Sequence, residues 1–82
     1  MINGKYVSFY NEFGTRTVVC IPENVVHATL KHLNPVSAGF FTYSDAKGWS
    51  VYGKSISLNL ECDEEEDLLA FRTAFRVGRI PY

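Results

Sequence analysis

Two runs of the chain suit a pleated strand better than a helix: KYVSFY from Lys5 to Tyr10, and TRTVVCI from Thr15 to Ile21. Rings and Cβ branches pack well on a pleated surface but crowd the preceding turn of a helix. Between the runs, Asn11-Glu12-Phe13-Gly14 has the polar and glycine content of a tight connection, so the pair is predicted to form a β-hairpin. In the second run Thr17, Val19 and Ile21 share one face, while Arg16, Val18 and Cys20 share the other. Both faces turn apolar toward the end of the strand, which predicts an interior position in a sheet.

Pro22 can open a helix because its missing N–H would have no partner in the first turn, and Glu23 suits the positive end of the dipole. A helix is predicted from about Pro22 to Leu33, with Val26, Leu30 and Leu33 buried and Asn24, His27 and Lys31 outside. His27 is then expected to pair with Glu23 on the outer face. Asn34-Pro35 ends the helix, since a residue before proline is pushed out of the helical region.

GFFTY, from Gly39 to Tyr43, reads as the next strand, and the polar turn from Ser44 to Gly48 leads into WSVY as a second hairpin. The apolar parity then changes. Trp49 and Val51 are odd-numbered, but Ile56, Leu58, Leu60 and Cys62 are even-numbered, so one unbroken strand would split them between faces. Gly53-Lys54 must break the register. A type II′ hairpin turn there leads into a further strand from Ser55 to about Cys62, with a bulge at Gly53 as the alternative.

The last helix begins at Asp63, which with Glu66 has the spacing of a capping box, and the acids Glu64 to Asp67 fill its first turn. Leu68, Phe71 and Phe75 form its predicted buried stripe, Arg72 and Arg76 suit its other end, and Gly78 is placed to cap it. The order is therefore ββαβββα: an α+β domain over residues 1–82, an antiparallel sheet with two helices packed on one face.

Composition agrees with a folded cytoplasmic domain. The hydrophobic share is 46% and the charged share 21%, too apolar for a disordered chain. At 82 residues only roughly 60% of the unfolded surface can be buried, so a partner subunit could add needed stability. No run approaches the roughly 18 apolar residues of a membrane span, and MINGKYVSF lacks the build of a signal peptide. Cys20 and Cys62 are too few for a disulfide framework and sit where inward-facing strand residues are expected.

No catalytic or metal constellation emerges. His27 and His32, five residues apart, would point roughly 140° from each other on a helix and cannot grip one ion. Cys20 late in a strand and His27 outside the following helix point in different directions, so no nucleophile–base pair forms. The glycines stand singly and form no phosphate loop, and nothing marks a cofactor or small-molecule site. The αβββα order from the first helix onward resembles the double-stranded-RNA-binding domain in outline. That family places lysines at the start of the last helix, where this chain has Asp63 to Asp67.

What remains is an aromatic content of 15%. Adjacent pairs such as Phe9-Tyr10 and Phe40-Phe41 send rings to both sides of a strand, so a sheet with helices on one face would expose rings on the other. Tyr6, Tyr10, Tyr43, Trp49 and Tyr52 are the candidate binding residues, with Tyr10 and Tyr43 expected outward. The expected function is a non-catalytic protein-binding domain, a regulator, inhibitor or assembly subunit, acting on a protein partner or on a second copy of itself. Such a compact domain would suit an accessory protein of a virus or mobile element. Stacking on single-stranded nucleic acid, with Lys5, Arg16, Lys47 and Lys54 following the backbone, is the alternative. A net charge of −1 disfavours it.

Overall fold

The computed structural model describes residues 2–74 and has an α+β architecture. Strands β1 (Ile2–Tyr10), β2 (Arg16–Ile21), β3 (Ser37–Ser44) and β4 (Gly48–Tyr52) form a four-stranded antiparallel sheet in the order β2-β1-β3-β4. The first hairpin forms as expected. Asn11 shapes its turn, its side-chain oxygen accepting from the N–H groups of Phe13 and Thr15 at 2.9 and 3.0 Å. The interior strand is β1, however, and β2 is an edge, because β3 adds to the free side of β1.

That order dictates where the helical segments go. β2 and β3 lie on either side of β1, so the chain between them must cross β1 on one face of the sheet. The crossing segment is a 3₁₀ helix, His27–Leu33, rather than the α-helix predicted from Pro22. Its bonds are local i→i+3 links, such as Thr29 N–H to Val26 O at 3.0 Å, and Pro22 opens only an isolated turn closed by Val25. β-Branched Val25, Val26 and Thr29 lower helix propensity there. Asn34 leaves the segment in the left-handed conformation at φ 54°.

Helix α1 (Glu64–Ala74) takes the opposite face, so the two helical segments do not share a side. The pairs Tyr6↔Cys20, Ser8↔Val18, Gly4↔Phe41 and Phe41↔Val51 put these residues under α1. Here Phe71 meets Tyr6, Phe41 and Trp49 with ring centroids 5.1, 5.3 and 5.0 Å apart. Val18, Val51 and Ala70 complete the core. Burying Phe71 supplies on the order of 2–3 kcal/mol. The buried stripe of α1 is Asp67, Ala70 and Phe71, with Leu68 at its fringe, while the predicted Phe75, Arg76 and Gly78 lie outside the described residues.

The strand predicted from Ser55 to Cys62 is a small hairpin instead. β5 (Lys54–Ser55) pairs with β6 (Leu60–Glu61), and residues 56–59 turn between them. Ser55 Oγ accepts from Leu58 N–H at 3.2 Å, and Asn59 adopts φ 54° with its N–H bonded to Ile56 O at 3.2 Å, so a local turn wins over a ladder. Ile56 is consequently 87% exposed. Gly53, at φ +79°, is neither the first residue of a hairpin turn nor a bulge between paired strands. It is a left-handed kink that releases the chain from β4 into the second sheet.

Candidate functional site

The five candidate rings do not form one surface. Tyr6, Tyr10, Tyr43 and Trp49 are all on the α1 side, as the pairs Tyr10↔Arg16 and Tyr43↔Trp49 require. Tyr6 and Trp49 are buried in the core and cannot act as exposed anchors. Tyr43 is half-buried against Trp49, ring centroids 4.7 Å apart, because it shares the parity of Phe41. Tyr10 is 54% exposed at a corner, with the Arg16 guanidinium 5.6 Å above its ring.

Tyr52 alone faces away from α1. It stacks on Phe40 across the β3–β4 pair at 5.6 Å and is 52% exposed. On the same face the His27 ring meets Phe40 edge-on at 5.8 Å. The 3₁₀ crossing thus covers the Phe40 end of this aromatic row and leaves the Tyr52 end open on edge strand β4. Ser50, two residues along, is exposed on the same face.

A second cluster has the residue types of an active site. Asp67 is fully buried between α1 and the sheet. Its carboxylate accepts from Tyr6 Oη, from Ser37 Oγ at 2.8 Å, from Arg16 Nη2 at 3.1 Å and from the Asp63 N–H at 3.0 Å. Arg16 also donates to Ser8 Oγ and Ser37 Oγ, each at 2.9 Å. Burial and the bond to Asp67 push the Tyr6 hydroxyl far above its ordinary range, so it remains a donor. With these bonds internal, the cluster works as a polar lock between α1, β1, β2 and β3. The helix cap belongs to it: Asp63 Oδ1 accepts from Glu66 N–H at 3.4 Å, but the reciprocal arm is Asp67 rather than the expected Glu66. An acid within the buried stripe of a helix, in a chain carrying an arginine on a strand, was the available signal for this cluster.

The remaining chemical groups are dispersed. Cys20 is on the α1 side and His27 on the other, where its Nε2 bonds Gly39 O at 2.8 Å; His27 is buried rather than outward toward Glu23. Burial pushes the Cys20 thiol up to about 12, which leaves it a poor nucleophile at neutral pH. Lys5 donates to Val25 O at 3.0 Å, and Arg16 is committed to Asp67, so Lys47 and Lys54 are the exposed members of the cationic set. A cavity of about 290 Å³ lies in the β5–β6 hairpin, lined by Lys54, Ser55, Ile56, Asn59, Leu60 and Glu61. Among the described residues, no three His, Cys, Asp or Glu side chains gather as a metal site. No helix of the described residues is long and apolar enough to cross a membrane.

Compared with known proteins, the chain matches no family model, no curated protein and no solved structure.

Proposed function

We infer that this chain is a small non-catalytic protein-binding domain, a regulator, inhibitor or assembly subunit, whose contact surface is the β4 rim. The observation that carries this reading is the half-exposed Tyr52, stacked on Phe40 beside the outer edge of β4. A ring held rigid by stacking loses little entropy on binding, and aromatic rings are natural anchors of protein interfaces. The internal commitment of Lys5 and Arg16 favours this over a nucleic-acid platform, which needs free cations beside its rings.

Affinity capture from the native host, compared between the wild type and Tyr52→Ala, tests the reading. The partner is expected to persist at about 1 M salt, where the Debye length falls to ~3 Å. Tyr52→Ala is expected to weaken binding by about 1–3 kcal/mol without unfolding the domain. Tight binding to single-stranded nucleic acid that collapses with added salt is the contrary result.

A further inference from the structure

The β5–β6 hairpin frames a cavity of about 290 Å³, which is at the lower end of small-ligand pockets. Its shape is held from within. Asn59 N–H bonds Ile56 O, Leu58 N–H bonds Ser55 Oγ, and Cys62 N–H ties the base of the hairpin to Gly53 O, each at 3.2 Å. Lys54 is directly opposite Glu61 in the ladder, which sets the two side chains on one side of the hairpin with Cβ atoms roughly 4.5–5.5 Å apart. Among the described residues the ion pairs are those of Arg16 with Asp63 and Asp67, so the charges of Lys54 and Glu61 are not spent on each other. Two aliphatic residues share the lining: Leu60, half-buried, and Ile56, which stands almost wholly in water.

We propose that this cavity binds a free α-amino acid with an aliphatic side chain, its carboxylate on Lys54, its ammonium on Glu61 and its side chain against Ile56 and Leu60. A zwitterion meets an opposite charge at each end, whereas a simple anion is drawn by Lys54 and repelled by Glu61, and a simple cation the reverse. An aliphatic side chain in the same ligand covers Ile56 and removes apolar surface from water. The site holds its ligand without transforming it, because Ser55 Oγ is engaged by Leu58 N–H and neither histidine nor cysteine lines the cavity. It is separate from the Tyr52 rim and stands whether or not that ring anchors a protein.

A smaller cavity of about 120 Å³, between α1 and β2, does not suit the same ligand. Arg16 and Glu66 both line it, but the guanidinium of Arg16 is already committed to the buried Asp67. A ligand carboxylate there would have to compete with the contact that docks the helix. At the β5–β6 hairpin the ligand displaces only water.

Backbone-amide NMR of the full-length chain, titrated with L-leucine, tests the proposal. Saturable shifts are expected at the residues that line the cavity, with a Kd on the order of 1 mM because both charged groups are exposed. N-Acetyl-leucine lacks the ammonium and leucine amide lacks the carboxylate, and each is expected to bind at least about fivefold more weakly. Lys54→Gln and Glu61→Gln are each expected to weaken leucine by about three- to fivefold. Glu61→Gln is expected at the same time to tighten N-acetyl-leucine, since it removes the repulsion on that anion, a reversal that a misfolded variant cannot show. Shifts that do not saturate, one-charge analogues that bind as leucine does, variants that bind leucine as the wild type does, or a Glu61→Gln variant that weakens both ligands each overturn the proposal.

Discussion

Gly39 lies in β3, opposite Tyr6 and close to the chain leaving β4. A Cβ at this position would come within 2.6 Å of Tyr52 O and 3.1 Å of Cys62 Cβ. The nearest of these is backbone in a paired strand and cannot rotate away. Gly39→Ala is therefore expected to cost about 1–3 kcal/mol, read as a lower urea midpoint with an unchanged slope. The carbonyl of the same residue accepts from His27. Burial holds His27 below its ordinary value of 6.5, aided by the charge of Lys5 and opposed by the Gly39 bond. The unfolded chain then binds a proton that the folded chain resists, so this contribution is complete above 6.5 and is lost as the pH falls below it. Denaturation midpoints measured downward from neutral pH should decline through this window, and His27→Gln should flatten the decline. Neither role is visible in the sequence, where His27 sits at an outward position of a plausible helix and Gly39 is only the first residue of an expected strand.

At the scale of elements, what was legible was local. The first hairpin, β3, β4 and α1 follow from side-chain shape, turn residues and a cap, all set within a few positions of one another. The segments that failed were those where two local preferences compete. Residues 22–33 have helical spacing but β-branched residues, and the need to cross β1 resolves them as a turn and a short 3₁₀ helix. Residues 55–62 alternate like a strand, yet Ser55 and Asn59 close a turn inside them. The docking of α1 was hidden for another reason: Asp67 reads as one more solvated acid until the sheet brings Arg16, Tyr6 and Ser37 to it. Asp67→Ala would strand Arg16 and the Tyr6 hydroxyl in a buried site. A loss of about 3–5 kcal/mol is expected, enough to unfold a marginal domain, and thermal unfolding followed by circular dichroism would measure it.

For the whole molecule, alternation sorts the residues of the true strands into two faces, but which face is covered and the order of the strands were not available. Which side of a strand carries Tyr6 or Tyr43 follows from alternation; whether that side is covered depends on where α1 lands. Tyr52 was singled out with four other rings; the β2-β1-β3-β4 order sets β4 on the rim, and alternation along β4 turns Tyr52 away from α1 while Trp49 is buried beneath it. The same order has a consequence for the chain while it is being made. Of the four strands of this sheet β1 is made first, and it ends in the middle. Its hairpin with β2 can close within roughly 1–10 μs. Its other neighbour must wait until Ser44 has been synthesised, on the order of seconds at roughly 5–20 residues per second. Throughout that interval a half-built sheet carries the future centre of the molecule as an open border, and any strand-like segment nearby, including that of a neighbouring nascent chain on the same message, competes for the place β3 will take.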